Sequence, residues 1–187
     1  MDCNLPNERL TPILHKKLHY GCGDIQLKGF LNYDFRKTLA SEKNGTLEDL
    51  LMTNIGSFEI IYLCHVLEHF PLPTIVETLS KFKRLLIPGK GMIFISVPDF
   101  ETLVSMYLSH IVPLSTIIRA IHGGQEYQGN THFISFDKAL LTSCLKEAGF
   151  INVRKYEPAT FLDDGIKDTS TYRIAGRPIS LNIQADG

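Results

Sequence analysis

Short, almost wholly apolar runs alternate along the chain with longer stretches whose apolar residues recur at helical spacing. "FEIIYLCH" (Phe58–His65) and "MIFISVP" (Met92–Pro98) are β-rich and nearly free of charge. Such runs suit strands buried on both faces, as in a parallel sheet. Lys17–Tyr20 and Phe30–Phe35 read as two earlier strands, and "INVRKYE" and "PISLNIQA" as two closing ones. Thr74–Leu86 sets Ile75, Leu79, Phe82 and Leu86 at helical spacing behind Pro73, where proline suits a helix start. "IPGKG" (Ile87–Gly91) is a turn. A helix from about Glu101 to His110 follows the Met92–Pro98 strand. "ISFDKALLTSCLKEAGF" predicts another, with Ser135 as cap, Leu140, Leu141, Cys144, Leu145 and Ala148 on one face, and Gly149 as the stop. Strands separated by helices imply an α/β domain with a mostly parallel sheet.

Sheets of that kind bind ligands at the carboxyl ends of their strands, where strand order reverses. The stretch "KLHYGCGDIQLKGFLNYDF" therefore acquires a meaning. Gly21 and Gly23 lie where the first strand ends, so the chain can turn sharply and a ligand can approach with no Cβ in the way. Asp34, at the end of the second strand, can accept hydrogen bonds from two adjacent ribose hydroxyls. A nucleoside-containing cofactor would satisfy both features, although G-x-G by itself also describes an ordinary tight turn.

The 187 residues fit one domain spanning 1–187, and the formal net charge of −1 leaves no basic footprint for nucleic acid. "KFKR" (Lys81–Arg84) reads as a solvated helix face. The N-terminus lacks a signal-peptide pattern, and no apolar run is long enough to span a bilayer. A cytoplasmic protein is the expectation. Cys3, Cys22, Cys64 and Cys144 are scattered without a C-x-x-C pair, so reduced thiols are expected.

"HYGCGD", "FEIIYLCHVLEHF", "LLIPGKGMIFISVPD" and "LLTSCLKEAGF" occur in one order at sensible spacing. Together they resemble the class I S-adenosylmethionine-dependent methyltransferases, and more narrowly the small type-11-like branch linked to sugar and polysaccharide modification. The resemblance implies a Rossmann-like seven-stranded sheet, mostly parallel with the last strand antiparallel, and helices on both faces. It implies S-adenosylmethionine as donor and S-adenosylhomocysteine as product. Gly21, Cys22 and Gly23 would approach the methionine moiety, and Asp34 the ribose. Asp49 and Leu50, from "EDL", would lie at the adenine, and Cys64 and His65 would border the sulfonium. Two departures stand out: no third glycine follows Asp24, and Gly23 to Asn32 is too short for the usual crossover helix. A loop, "DIQLKGF", must make the crossing.

The acceptor side is expected in "IHGGQEYQGNTHFISF" (Ile121–Phe136), with its three glycines, two histidines and several amides. By resemblance, Gln125 and His132 are acceptor-side residues, with His132 as general base and His65 as the alternative. The acceptor implied is a small polar molecule, such as a sugar hydroxyl, bound by a monomer or homodimer. Met106 to Ile121 is apolar for a connecting region; it could cover the pocket or bind a partner chain, but packing on the sheet is the expectation, a dimer contact being the lesser possibility. Asp163 and Asp164 form an acidic turn expected to be solvated, although paired carboxylates could hold a divalent cation.

Rival readings use the same letters. His65-Val66-Leu67-Glu68-His69 matches the zinc-peptidase pattern H-x-x-E-H. Pro71 and Pro73 leave it little more than one helical turn, so no metal is expected and His69 reads as structural. A dinucleotide oxidoreductase would prefer a third glycine opening a helix and an acid about twenty residues on. A non-catalytic scaffold or regulatory protein of the same fold is the remaining alternative.

Overall fold

A computed structural model of the chain describes residues 15–127, 129–158 and 167–187. The elements run β1 (Lys17–Tyr20), β2 (Leu31–Asp34), β3 (Lys43–Asn44), α1 (Leu47–Asn54), β4 (Ile60–Cys64), α2 (Ile75–Leu85) and β5 (Met92–Pro98). They continue with α3 (Phe100–Leu108), α4 (Leu114–His122), α5 (Lys138–Glu147), β6 (Ile151–Lys155), β7 (Arg173–Ile174), β8 (Arg177–Pro178) and β9 (Ser180–Asp186). Seven strands form one sheet in the order β3-β2-β1-β4-β5-β9-β6. All pairs are parallel except those of β9, which runs antiparallel between β5 and β6. The expected seven-stranded sheet with an antiparallel last strand is thus present. β7 and β8 make a separate two-stranded hairpin.

The apolar strand runs alternate between two cores, as the period of two demands. Leu18, Ile61, Leu63, Ile93 and Ile95 face α1, α2 and α5, where Leu79, Phe82, Leu141 and Leu145 complete one large cluster. Tyr62 and Phe94 point the other way. They meet Leu27 and Phe30 of the β1–β2 crossing and Tyr156 beyond β6. Helices therefore cover the first face, and the crossing loop does part of that work on the second.

Two local expectations need correction. α5 is capped by Asp137, whose carboxylate accepts from the Leu140 amide at 2.7 Å, and not by Ser135. The residue after Ser135, Phe136, is held extended in a bridge with Asp99, so the helix cannot begin that early. The segment Met106 to Ile121 contains the unforeseen helix α4. It packs on α3 through Leu103, Met106, Val112 and Ile117, together with Ile179, rather than on the sheet. Pro113, which breaks the pattern in sequence, stands at the N-cap of that helix.

The crossing from β1 to β2 is held by one buried side chain. Asn32 is 1 % exposed. Its Oδ1 accepts from the Leu27 amide at 2.8 Å, and its Nδ2 donates to the Leu27 and Phe30 carbonyls at 3.0 and 3.2 Å. His19 Nδ1 reaches the same Oδ1 at 3.1 Å, and the His19 ring stacks on Tyr62 with centroids 5.3 Å apart. In a helical crossover these backbone groups would bond to one another. Here a side-chain amide satisfies them in an otherwise apolar layer, where leaving them unpaired would cost roughly 1–3 kcal/mol each.

Asn32→Ala is expected to destabilise the protein by about 3 kcal/mol, read as a lowered urea midpoint. His19 supplies a second prediction. Burial pushes its pKa from 6.5 down to about 4, against the raising influence of the Asn32 bond. The folded state then binds fewer protons than the unfolded one. Stability is whole above pH 6.5 and is lost as pH falls toward 4, by about 3 kcal/mol. His19→Gln is expected to flatten that fall in urea titrations at pH 7 and pH 4.5. An unchanged slope would exonerate His19.

Candidate functional site

A cavity of about 1010 Å³ opens at the carboxyl ends of β1, β2 and β4. The chain moves outward from β1 through β2 to β3, then returns to place β4 on the other side of β1. The cavity thus sits at the reversal of strand order, where open α/β sheets bind ligands. Its volume is at the upper end of the range for small-molecule sites.

The glycine loop lies against this opening. Gly21 has φ +71°, its amide donates to the Tyr33 carbonyl at 2.8 Å, and a Cβ there would run into Val66 Cγ2. The loop after β4 therefore packs on the loop after β1 with no room for a side chain. Gly23 has φ +53° and faces open space, with nothing within 4 Å of a built Cβ. Its amide donates to Asp34 Oδ2 at 2.8 Å, while Asp34 Oδ1 accepts from the Arg36 amide at 2.9 Å. Asp34 is 2 % exposed yet lines the cavity, and each carboxylate oxygen keeps lone-pair capacity beyond these bonds.

Cys22 and Cys64 both line the cavity. Burial, helped by the Asp34 charge, pushes the Cys22 thiol up to about 12. Burial and the Asp168 charge do the same to Cys64, whose Sγ lies 3.2 Å from Thr169 Oγ1. Neither offers a thiolate nucleophile at neutral pH.

Two expected adenine-side residues lie elsewhere. Asp49 Oδ2 is bound by the Thr46 amide and hydroxyl, both at 2.8 Å, in a capping box that starts α1. Leu50 is buried in the main core. The cavity wall here is Thr46, Leu47 and Glu48, one turn earlier. The helix start, which sequence spacing locates only to within a residue or two, decides which of these face the opening.

At the other end stand three histidines and a glutamate. His65 follows β4 with φ +53°, and its Nε2 lies 2.9 Å from Ser180 Oγ. His132 Nδ1 is 3.0 Å from the Ala120 carbonyl, and His69 Nδ1 is 3.0 Å from the Thr131 carbonyl. Their rings meet edge to face with centroids 4.7 Å apart. All three histidines line the cavity. Behind them Glu68 is fully buried, with Oε1 3.3 Å from His65 Nδ1 and 3.9 Å from His132 Nε2. Burial works to raise the Glu68 carboxyl, but His65, together with His69 and His132 whenever those rings are protonated, outweighs it and holds it low. Burial lowers the His132 imidazole, against the opposing charge of Glu68.

Gln125 does not reach the cavity. It adopts φ +59°, and its side-chain amide donates to the His122 carbonyl at 3.3 Å on an exposed turn. Tyr127, Gly129, Asn130 and His132 form the wall from this segment instead. The Arg36 guanidinium stacks over the Tyr127 ring at 4.2 Å and so ties that wall to the end of β2. Asp168 was also unforeseen as a structural group. It accepts from the Tyr62 hydroxyl at 2.6 Å and caps the turn Thr169–Thr171. Asp163 and Asp164 lie outside the described residues.

No family model and no curated protein matches the sequence. Solved structures do match the fold. A methyltransferase from Archaeoglobus fulgidus that depends on S-adenosylmethionine superposes with a TM-score of 0.58 at 18% identity, over 94% of this chain and 87% of that one. The fold is that of the S-adenosylmethionine-dependent methyltransferases. The Burkholderia thailandensis 1,6-didemethyltoxoflavin-N1-methyltransferase, solved with 1,6-didemethyltoxoflavin and S-adenosylhomocysteine, matches with a TM-score of 0.52 at 13% identity, over 90% of this chain and 69% of that one. PigF, solved with S-adenosylhomocysteine, matches with a TM-score of 0.52 at 15% identity, over 92% of this chain and 51% of that one. The narrower type-11-like branch rests on the sequence motifs alone. No described helix is long and apolar enough to cross a membrane.

Two glycine substitutions separate folding from ligand access. Gly23→Ala meets open space, so its cost is the positive φ alone, about 1 kcal/mol, yet its methyl would stand on the cavity wall. Gly21→Ala adds the collision with Val66 and is expected to cost more. Thermal unfolding should rank Gly21→Ala well below Gly23→Ala. Equal midpoints would show that the two loops can part freely.

Proposed function

We propose that this chain is an S-adenosylmethionine-dependent methyltransferase acting on a small polar acceptor, of the class of sugar hydroxyls. The observation that carries the reading is the pairing of Gly23 and Asp34 across the ends of β1 and β2, beside open cavity space. A carboxylate already oriented by two backbone amides is well placed to take two ribose hydroxyls on its remaining lone pairs. Gly21 and Gly23 admit the amino-acid portion at the strand end, and Leu47 offers an apolar surface to a base. The arrangement does not suit a dinucleotide, because no helix begins after Gly23 to present its amides to a pyrophosphate.

The donor, when bound, supplies an electrophilic methyl group on a sulfonium. The chain's work is to align acceptor, methyl and sulfur and to exclude water. The acceptor belongs at the histidine end of the cavity. His132 suits removal of a hydroxyl proton there: its Nδ1–H donates to the Ala120 carbonyl, so Nε2 carries the lone pair. His65 is second, because its Nε2 is engaged with Ser180. The sugar class of acceptor rests on the motif resemblance.

Calorimetric titration with S-adenosylmethionine and S-adenosylhomocysteine is expected to give micromolar affinity for both. Asp34→Ala should weaken both by about 100-fold, the loss of two hydrogen bonds to a charged acceptor. NAD, as control, should not bind. Absence of binding to well-folded protein would sink the reading and shift weight to a scaffold role.

A further inference from the structure

Glu68 presents an unresolved chemical problem. It is fully buried, and the one close polar neighbour of its carboxylate among the described residues is His65 Nδ1, 3.3 Å from Oε1 and poorly aligned for a hydrogen bond. An isolated carboxylate so placed is strongly disfavoured unless a cation or proton joins it. Its neighbours do not provide protons by their hydrogen bonding. A backbone carbonyl can only accept, so His69 and His132 must each carry the proton on Nδ1, facing Thr131 and Ala120 respectively. Both Nε2 atoms are then lone pairs in the neutral rings. Ser180 donates its own proton to the Thr169 carbonyl at 2.7 Å, so His65 must donate through Nε2. In the neutral ring its Nδ1 then presents a lone pair toward Glu68 at 3.3 Å, whereas the imidazolium would donate from the same atom. The His132 Nε2 lone pair stands 3.9 Å from the buried carboxylate, and His69 lies beside both.

We propose that Glu68, His69 and His132 form a binding site for one divalent first-row transition-metal ion. One ligand atom from each lies within 4.8 Å of the others. Ligands about 2.1 Å from a tetrahedral ion stand about 3.4 Å apart, so closure on an ion requires a contraction of little more than an ångström. Imidazole pairs with one carboxylate suit zinc, iron(II) and cobalt(II). The backbone carbonyls behind both histidines are the outer-shell groups that fix tautomer and ring direction in metal sites. The two halves are also joined directly, since the Phe133 amide donates to the Glu68 carbonyl at 2.9 Å. This is not the peptidase use of H-x-x-E-H: Glu68 is a ligand rather than a base, and His65 turns to Ser180.

Because His69 and His132 line the cavity, the ion's open positions face the acceptor end. Resting on the methyltransferase reading, the expected acceptor is one with an oxygen donor, whose hydroxyl loses its proton more readily when coordinated. His132 would then act as ligand rather than base, and the hydroxyl proton, acidified by coordination, would pass to solvent water in the open cavity.

Metal binding is measured first, without methyl donor. Chelator-treated protein is titrated with Co²⁺ and followed by its visible absorption. One equivalent should bind with micromolar affinity or tighter, and His69→Gln and His132→Gln should each weaken it by at least about 100-fold. His110→Gln, on an exposed turn elsewhere, should leave it unchanged. Imidazole ¹⁵N signals of the wild type, recorded with and without Zn²⁺, need no variant to fold. Two rings protonated at Nδ1 should shift at Nε2. Unshifted rings, Co²⁺ binding that survives both variants, or no binding at millimolar Co²⁺ would overturn the site and leave a proton shared by His65 and Glu68. Donor calorimetry on metal-free and metal-loaded protein keeps the hypotheses apart, because donor binding without metal binding refutes this site alone.

Discussion

The crossing between β1 and β2 is the constraint from which the rest of the site follows. Parallel neighbours are ordinarily joined through a helix that satisfies its own backbone. This chain has only the ten residues 21–30 between them, and it substitutes the Asn32 side chain for the missing ladder. The same loop buries Leu27 and Phe30 against Tyr62, so it also serves as the cover of one sheet face. With its backbone held at Leu27 and Phe30, the loop delivers Gly21 and Gly23 to the ends of β1 and β2. There Gly23 meets Asp34 and Gly21 meets Val66.

The short crossing also changes the electrostatics of the opening. A helix N-terminus would contribute several free amides and a positive partial charge suited to phosphate. Here the opening is lined by the Asp34 carboxylate, two glycines and Arg36, whose Nε lies 3.5 Å from Asp34 Oδ1, with the Gly23 amide committed to Asp34.

The far end of the cavity is built on different terms. Glu68 and His69 leave β4 on a single tight turn, and His132 returns from beyond α4 more than sixty residues later. A backbone bond from Phe133 to Glu68 and two carbonyls behind the imidazoles hold the group in register. Burial without bonded partners makes Glu68 costly as an ornament of structure, which is why its surroundings bear on function. The two ends thus differ in chemistry: one presents the Asp34 carboxylate beside two glycines, the other concentrates imidazole and carboxylate.

The strands, the α/β class and the Gly–Asp signature were legible in the sequence, because apolar runs and glycine-bearing strand ends are local properties. β1 and β5 fall where their runs predict, and Asp34 stands at a strand end beside the cavity. Tertiary structure decided what local pattern cannot carry. Asp49 became the acid of the capping box whose N-cap is Thr46 and Leu50 a core residue, since the phase of that helix decides which residues face the opening. Gln125 turned onto its own loop. Asp137 displaced Ser135 because the Phe136 bridge to Asp99 holds that stretch extended. The gathering of Glu68, His69 and His132 lay beyond any motif, for the third member arrives through chain closure rather than spacing. Sequence determined the longer strands, the helices α2, α3 and α5 and the glycine loop beside Asp34 through short-range sterics and hydrophobic period. The far end of the site exists only because the sheet and its connections bring distant residues within reach of one buried charge.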